Sequence, residues 1–241
     1  MRRILITGSN RGIGLALIKQ YLTQDDTTLI ATCRDPERAN ALNAIVNANP
    51  ERVRVVQLDV IDKQSIANAV DTVTQQIDGL DMLINNAGIL PGGVDNRDPN
   101  ISSLGDLDAD AMLNVFRVNT ISPVIVTQAF ADLLRNGSQA RVINVSSDAG
   151  SITYRDKGCD YSYPSSKAAL NMMSRCLAGD LRKDNIIVIS LHPGFIKTDM
   201  GGVNAHLTLD DAIPTMVQTI DKLTLDDSSK FINWDSKLID W

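Results

Sequence analysis

The fold of this chain is decided by a stretch near its start, ILITGSNRGIG, which covers Ile4–Gly14. The stretch opens on a short apolar run without polar alternation, a pattern typical of a strand that helices cover on both faces. A glycine-rich loop follows at once, and a helical pattern over Gly12–Leu22 comes after it. The stretch therefore predicts a buried first strand that runs directly into a glycine loop and a helix.

Apolar runs alternate with helical patterns along most of the remaining chain. The predicted strands are Ile4–Thr7, Leu29–Cys33, Val53–Leu58, Met82–Asn85, Val142–Val145 and Ile186–Leu191. The predicted helices include Gly12–Leu22, Ser65–Ile77, Ala111–Leu134 and Pro164–Leu181. Because parallel strands need crossovers between them, this order predicts an α/β fold with a doubly wound parallel sheet, in three α/β/α layers and a single domain over residues 1–241.

The composition is that of an ordinary globular protein, with 44% hydrophobic and 22% charged residues among 241. The formal net charge of −6 argues against nucleic acid or an anionic membrane surface as a partner, since both favour basic patches. No stretch approaches the roughly 20 apolar residues that a membrane span needs. We therefore expect a soluble, cytoplasmic protein with no nucleic-acid or membrane partner.

Cysteine and histidine usage predicts no metal site. The three cysteines, Cys33, Cys159 and Cys176, are odd in number and lack the spacing of metal ligands, which fits a reducing cytoplasm. The two histidines, His192 and His206, have no ligand partner at metal spacing. We assign them to a strand end and a loop.

The loop after the first strand has the chemistry of an anion site. In doubly wound sheets ligands bind beyond the carboxyl ends of the strands, and small residues there let a pyrophosphate approach the N-terminus of the next helix. The glycine spacing differs from the general G-x-G-x-x-G fingerprint, so a simple tight turn is the alternative. The candidate nucleotide-binding residues in this loop are Gly8, Asn10, Arg11, Gly12, Ile13 and Gly14.

The end of the second strand carries the choice between two nicotinamide cofactors. An acidic residue at this point favours NAD, whereas an arginine favours NADP. Arg34 follows the strand, and with Arg11 it would clamp a 2′-phosphate through charge-assisted hydrogen bonds. We therefore predict NADPH as the preferred cofactor. Asp35 keeps NADH possible, and either arginine is alternatively a solvated surface charge.

The pentapeptide YPSSK places Tyr163 and Lys167 one turn apart on the same face of a predicted helix. A tyrosine hydroxyl has an unperturbed pKa near 10, so it needs a neighbouring charge if it is to exchange protons near neutral pH. An ammonium one turn away supplies such a charge. The pair is thus a candidate acid–base centre, although the same spacing occurs by chance on helix surfaces.

Together these segments resemble the short-chain dehydrogenase/reductase family, from Ile4 to the region Phe231–Trp234. The glycine loop resembles the family's Thr-Gly-x-x-x-Gly-x-Gly, and Asn85–Gly88 resembles its Asn-Asn-Ala-Gly motif after the fourth strand. The resemblance implies a Rossmann fold. The segment 198–210 and the ending around Phe231–Trp234 further resemble the carbonyl-reductase group related to the sniffer and C-factor proteins.

The resemblance also assigns the site. It implies that the catalytic residues are Asn119, Ser147, Tyr163 and Lys167. Of the neighbouring serines, Ser147 is chosen over Ser146 by its spacing to Gly150, and Tyr161 is a decoy because no lysine follows it at the right distance. Beyond the loop and Arg34, the implied cofactor contacts are Asp59, Val60, Asn86, Ala87, Gly88, Tyr163, Lys167, Pro193, Gly194, Ile196 and Thr198.

The implied reaction is hydride transfer from the nicotinamide to a carbonyl carbon, with Tyr163 giving a proton to the oxygen. Ser147 would hydrogen-bond that oxygen as negative charge develops. Lys167 would lower the pKa of the phenol and hold the nicotinamide ribose. Asn119 would help to position a water that resupplies protons.

The segments predicted to be irregular, 89–108, 148–162 and 198–210, are candidates for the substrate rim. The last is interpreted as a short, mobile lid over an open site, which favours broad reduction of aldehydes, ketones or quinones. A reductase or dehydrogenase dedicated to one metabolite is an alternative, and so is a signalling or redox-sensing protein that binds NADPH. The resemblance further implies a homodimer or homotetramer built around the two long central helices.

Overall fold

One parallel sheet collects strands from almost the whole chain in the computed structural model, which describes residues 1–158 and 160–241. The redox prediction for Cys159 lies outside the described residues. The sheet has seven strands in the order β3-β2-β1-β4-β5-β6-β7. Their bounds are β1 Arg2–Ile6, β2 Thr27–Cys33, β3 Val53–Gln57, β4 Met82–Asn85, β5 Arg141–Val145, β6 Ile187–His192 and β7 Phe231–Asn233. The predicted strands are thus confirmed.

Helices cover both faces of this sheet. They are α1 Gly12–Leu22, α2 Asn40–Ala48, α3 Lys63–Thr74, α4 Pro99–Ser102, α5 Ala109–Phe116, α6 Ser122–Ala129, α7 Ala131–Arg135, α8 Ser162–Leu181 and α9 Leu209–Asp221. Within β1, Ile4 and Ile6 belong to the apolar cluster that includes residues of α1 and α9. Leu5 belongs to the opposite cluster, which includes residues of α3 and α6. Both faces of β1 are therefore buried, and with helices on both faces of the sheet the doubly wound, three-layer prediction is confirmed.

The central helix predicted over Ala111–Leu134 is wrong as a continuous helix. The structure divides it into α5, a π-helical turn over Arg117–Ile121, then α6 and α7. Pro123 has no N–H group, so the carbonyl of Asn119 cannot receive the usual helical hydrogen bond from that position. The wider turn places Asn119 fully buried inside the molecule. π-Helical turns of this kind occur frequently at functional sites.

A buried carboxylate, that of Asp81, lies at the amino-terminal ends of the central strands. Asp81 accepts hydrogen bonds from the Arg3 backbone N–H at 2.7 Å, from its guanidinium Nε at 3.0 Å, and from the Ser138 N–H at 2.6 Å. Burial alone would raise the pKa of Asp81, but these bonds outweigh it and hold the pKa below its ordinary value. The carboxylate thereby joins β1 to the turn that precedes β5.

No helix in the described ranges is long and apolar enough to cross a membrane.

Candidate active site

The residues predicted for the site follow strands that are neighbours in the sheet. The glycine loop follows β1, Asn86–Gly88 follows β4, Ser147 follows β5 and Pro193 follows β6. The strand order reverses between β1 and β4, which is the switch point where doubly wound sheets bind ligands. The topology thus brings four separate motifs to one edge.

The glycine loop forms a tight cradle supported from β4. Gly8 has a φ of +68°, in the region that favours glycine. A Cβ on Gly14 would lie 2.3 Å from the Gly8 carbonyl oxygen and 2.7 Å from Asn86 Nδ2. Asn86 in turn donates from Nδ2 to the carbonyls of Thr7 at 2.9 Å and Gly8 at 3.1 Å. The backbone of the loop is therefore held close to the start of α1.

The start of α1 fits a phosphate group. Among the described residues, no side chain caps this helix and its first turn holds no acidic residue. Its first N–H groups and its dipole are therefore available to an anion. Asn10 and Arg11 are exposed at this end, whereas Ile13 is partly buried. Arg11 Nη1 lies 2.7 Å from Asp199 Oδ2, so the loop is linked by charge to the segment after β6.

Cationic side chains also follow β2. Arg34 is exposed, and its carbonyl accepts a hydrogen bond from Gln57 Nε2 at 3.0 Å. Asp35 does not stand alone, because the Nε atom of Arg38 lies 3.3 Å from its carboxylate. Sequence reasoning missed Arg38, although its position one helical turn beyond Arg34 was a usable signal. The turn after β2 therefore offers two arginines, one of which partly neutralises the acid.

Asp59 and Val60 follow β3, the next strand outward. Asp59 Oδ1 accepts a hydrogen bond from the Ile61 N–H at 3.1 Å, and its own N–H donates to Ser65 Oγ at 2.8 Å. Val60 is nearly buried in the apolar cluster on the α3 side of the sheet. These bonds fix the turn between β3 and α3 at the same edge as the glycine loop.

Ser147 lies beside Tyr163, and its hydroxyl acts to lower the pKa of the phenol. Ser147 follows β5 and accepts at Oγ from the Ala149 N–H at 3.2 Å, while Tyr163 lies in the first turn of α8. Burial raises the pKa of Tyr163 to about 12, and the Ser147 hydroxyl offsets only part of that rise. The expectation that Lys167 lowers the pKa of this phenol stays a prediction.

Lys167 is buried beneath the tyrosine ring. Its Nζ lies 5.7 Å from the centroid of the Tyr163 ring and donates to the Val145 carbonyl at 2.8 Å. Burial lowers the pKa of Lys167 to about 8. Gly150 packs against its backbone so closely that a Cβ there would lie 2.7 Å from the Lys167 carbonyl carbon. The amine is thus fixed between β5 and the phenol.

Asn119 reaches the same place from the π-helical turn. Its Oδ1 accepts from the Ile89 N–H at 2.8 Å, and its Nδ2 donates to the Ile89 carbonyl at 2.9 Å and to Ser166 Oγ at 3.2 Å. A Cβ on Gly88 would lie 3.3 Å from Asn119 Oδ1 and 3.7 Å from Lys167 Nζ. Asn119 and Lys167 therefore meet at Gly88. Ser166, which sequence reasoning passed over, holds the amide in this position.

Ala87 and the residues after β6 lie at the same edge of the sheet. The Ala87 N–H donates to Thr7 Oγ1 at 3.0 Å. Pro193 and Gly194 open the segment after β6, and Gly194 has a φ of +92°. Ile196 is buried and Thr198 lies against the glycine loop, since a Cβ on Gly12 would be 3.9 Å from Thr198 Cγ2.

The segment 198–203, here called the strap, is tied to the loop after β4. The Met200 carbonyl accepts from the Val94 N–H at 2.9 Å, and the Val203 N–H donates to Asp95 Oδ2 at 3.0 Å. Sequence analysis interpreted this region as a mobile lid over an open site. In the structure this segment hydrogen-bonds to the loop after β4, which the local glycine content did not predict, and its mobility stays a prediction.

The strap also completes an apolar wall beside the tyrosine. Leu90, Ile101 and Val115 form a small buried cluster, and Tyr163 and Met200 pack against it. The short helix α4 contributes Ile101, in a stretch that sequence analysis treated as irregular. The phenol is therefore flanked by hydrocarbon on the side of the loop after β4.

His192 contacts the turn that carries Ser147, a contact that sequence reasoning did not anticipate. Its Nδ1 accepts from the Asp148 N–H at 3.1 Å. Burial lowers the pKa of His192 below its ordinary value, and the nearby Asp148 carboxylate opposes that shift. The residue does end β6, as predicted from its position.

The chain is similar to known proteins in structure or in sequence. The carbonyl reductase from chicken fatty liver, solved with NADPH bound, is 36% identical with a TM-score of 0.91, over 100% of this chain and 99% of that chain. The carbonyl reductase Sniffer of D. melanogaster is 32% identical with a TM-score of 0.93 over 100% of both chains. The C-signal protein of Myxococcus xanthus is 38% identical over 162 residues, which are 67% of this chain and 93% of that protein.

The predicted resemblance, including its sniffer and C-factor relatives, is confirmed by these similarities and by a family model. That model, described as short chain dehydrogenase, matches residues 2–206. The matched range contains the glycine loop, the π-helical turn, the serine turn and the start of α8. The chain therefore belongs to the short-chain dehydrogenase family of oxidoreductases.

Proposed function

We propose that this protein is an NADPH-dependent carbonyl reductase that reduces aldehydes, ketones or quinones to the corresponding alcohols. The observation that carries the proposal is the meeting of a phenol, a hydroxyl and a buried amine at the switch point of the sheet. Tyr163 lies beside Ser147, whose hydroxyl acts on the pKa of the phenol, and Lys167 lies beneath the ring. The similarity to two carbonyl reductases along their whole length supports the same reading.

The state of the phenol suits proton donation. With a pKa raised to about 12, the hydroxyl of Tyr163 keeps its proton at neutral pH. A reduction requires that proton to reach the carbonyl oxygen while hydride reaches the carbon, and the bound nicotinamide supplies the hydride. Ser147 lies beside the phenol and donates a second hydrogen bond to the oxygen as negative charge develops.

Lys167 and Asn119 restore the proton and orient the nicotinamide ribose. The Lys167 amine, with its pKa lowered to about 8, exchanges a proton near neutral pH more readily than an ordinary lysine. Asn119 has its amide fixed on the Ile89 backbone beside that amine, which leaves the Asn119 main chain in the π-helical turn to hold a water. These roles are those that the family resemblance implies.

The cofactor contacts are proposed along the edge already described. The phosphates lie on Gly8, Asn10, Gly12, Ile13 and Gly14, and the adenine lies on Asp59 and Val60. Asn86, Ala87 and Gly88 support the ribose side. Pro193, Gly194, Ile196 and Thr198 hold the nicotinamide amide.

NADPH is proposed over NADH because cations surround the position of the 2′-phosphate. Arg11 and Arg34 are both exposed at this end, and Arg38 pairs with the neighbouring Asp35. A guanidinium binds phosphate with two parallel hydrogen bonds, which NADH cannot use. The chicken carbonyl reductase was solved with NADPH, which agrees with this choice.

The substrate carries an apolar group next to its carbonyl. The wall of Leu90, Ile101, Val115 and Met200 beside Tyr163 favours hydrocarbon, because burying apolar surface is the main source of affinity in such pockets. A reductase dedicated to one metabolite would show a single substrate with a much higher kcat/KM than all others.

A signalling or redox-sensing protein is the second candidate, favoured by the similarity to the C-signal protein. Such a protein would bind NADPH without needing turnover. The proton-handling set of four side chains argues for turnover instead.

Cytoplasmic localisation stays a prediction.

A second copy of this chain is the proposed partner. Leu113 on α5 and Met172 on α8 are 58% and 64% exposed, and Ile121 and Ile125 are exposed beside them. Apolar side chains grouped on adjacent helices favour burial in a dimer or tetramer. Light scattering after size exclusion tests this, and a single monomer at all concentrations contradicts it. A Leu113→Glu variant should shift the equilibrium towards monomer.

The test of the function is NADPH oxidation by purified protein against aldehydes, diketones and quinones. Tyr163→Phe removes the proton donor and should lower kcat/KM by about 10²-fold or more. Tyr161→Phe is the matched control, because it removes a hydroxyl of the same helix end without a lysine one turn later. Turnover that survives in Tyr163→Phe refutes the catalytic assignment. NADPH binding without any turnover favours the sensing role.

A further inference from the structure

His192 holds the turn that carries the catalytic serine. It is the last residue of β6, and its side chain is 11% exposed. Its Nδ1 accepts a hydrogen bond from the Asp148 N–H at 3.1 Å, and its Nε2 lies 3.7 Å from Asp148 Oδ2. The imidazole therefore faces both the backbone and the carboxylate of one residue.

This geometry requires a neutral ring. A nitrogen that accepts a hydrogen bond carries no proton, so the proton of the imidazole must be on Nε2, towards the Asp148 carboxylate. Burial also favours the neutral form of His192. A protonated ring would place an N–H at Nδ1 directly opposite the Asp148 N–H, and two donors cannot share one hydrogen bond.

Asp148 connects His192 to Ser147 through hydrogen bonds. Its Oδ1 accepts from Ser147 Oγ at 3.2 Å, and Ser147 Oγ accepts from the Ala149 N–H at 3.2 Å. Residue 148 is thus held through its main chain by His192 and through its side chain by the serine. The orientation of the serine hydroxyl beside Tyr163 depends on where this turn is fixed.

We propose that neutral His192 is a positioning residue that fixes the 147–149 turn for catalysis, and that its protonation releases the turn and lowers activity. The inference rests on the proposed function for the role of Ser147. Protonation removes the acceptor of the Asp148 N–H.

Among the residues that the structure describes, three charged or titratable groups act on His192. Asp148 from the serine turn and Asp235 from the segment after β7 favour its protonated form, whereas His206 from the segment after the strap opposes it. Tyr163 and Lys167, with pKa values of about 12 and about 8, titrate on the alkaline side of neutrality. A loss of activity on the acid side that depends on residue 192 therefore reports on this histidine.

The first test measures kcat/KM for a carbonyl at saturating NADPH from about pH 4 to about pH 8, a range that extends below ordinary histidine titration because the pKa of His192 is lowered. His192→Asn keeps an oxygen acceptor that does not titrate. It should stay within about threefold of the wild type at neutral pH and lose the acid-side decline. His192→Ala loses the acceptor and should fall about tenfold, the worth of one hydrogen bond. His206→Asn, which alters the other histidine, should keep the decline.

The second test does not need turnover. The chain has two histidines, and proton NMR of His206→Asn assigns the imidazole signals of His192. Asp148→Asn removes the carboxylate that favours the imidazolium, so it should lower the pKa of His192. The Asp148 amide should be protected from hydrogen exchange above that pKa and lose at least tenfold in protection below it. If the alanine variant does not fold, the asparagine variant and this titration decide the matter.

An acid-side decline that persists in His192→Asn overturns the proposal, as does full activity in a folded His192→Ala. An Asp148 amide whose exchange ignores the titration of His192 also overturns it. If no carbonyl is reduced by the wild type, the proposed function fails, while the titration and exchange results still decide whether His192 holds the turn.

Discussion

The ion pair between Arg11 and Asp199 competes with the cofactor proposed for this site. The Arg11 guanidinium is needed by a 2′-phosphate, yet in the structure its Nη1 lies 2.7 Å from Asp199 Oδ2. The 2′-phosphate of NADPH must therefore displace the Asp199 carboxylate from Arg11. We predict that Asp199→Asn strengthens the binding of NADPH and leaves the binding of NADH nearly unchanged.

The magnitude follows from the exposure of the two side chains, which is 65% for Arg11 and 80% for Asp199. Exposed pairs contribute about 0.2–1 kcal/mol, because water screens the charges and the side chains lose freedom. Removing the competing partner should therefore lower the NADPH dissociation constant by roughly 1.4- to 5-fold. In about 1 M salt, where the screening length is about 3 Å, the gain should shrink towards zero.

Calorimetric or fluorescence titration of both cofactors measures the effect. The matched control is Asp95→Asn, which removes the same charge and loosens the same strap, because Asp95 accepts the Val203 N–H at 3.0 Å. The reasoning is refuted if Asp95→Asn produces an equal gain, if NADH gains as much as NADPH, or if Asp199→Asn weakens NADPH.

Further predictions concern the glycine loop, the Asp81 carboxylate at the amino-terminal ends of the strands, and the Lys167 amine. Gly14→Ala should weaken NADPH binding at least tenfold and lower the free energy of unfolding by about 1–3 kcal/mol, because the added Cβ would lie 2.3 Å from the Gly8 carbonyl oxygen. Unchanged NADPH binding and an unchanged melting temperature would contradict this. Asp81→Asn should lower the free energy of unfolding in urea by about 2 kcal/mol at neutral pH. That difference should narrow below about pH 4, because a carboxylate with a lowered folded pKa loses its contribution as pH falls through the folded value. Lys167→Met should lower kcat/KM by about 10²-fold. It should also remove a decline in wild-type activity above about pH 8, where Lys167 loses its charge. If the variant keeps that decline, a group other than Lys167 causes it.

Sequence reasoning recovered the strands because runs such as Ile4–Thr7 are apolar on both faces, and that pattern has few alternatives in a soluble chain. It also recovered the edge where the motifs meet, since parallel strands share their carboxyl end. The helix over Ala111–Leu134 was wrong because average periodicity does not register one missing N–H group at Pro123. The contact of His192 with Asp148 joins residues 44 positions apart, which no local pattern reports.

The protonation state of Tyr163 was also beyond the sequence. The spacing to Lys167 predicts a lowered pKa, but the competing effect is burial by residues from the loop after β4 and from the strap. Only packing decides which effect is larger, and here it is burial, which raises the pKa to about 12. The family resemblance and local chemistry thus proposed the residues of the site, and tertiary structure decides how they behave.

The hydrogen bonds between the strap and the loop after β4 bear on how substrate scope in this scaffold could be re-engineered. Val203 and Asp95 are 108 positions apart in the chain, yet together with the Met200–Val94 bond they close one wall beside the phenol. Grafting either segment alone from a relative would leave the Met200 carbonyl or the Asp95 carboxylate without its partner. The two segments therefore form one module, and a specificity graft has to exchange both.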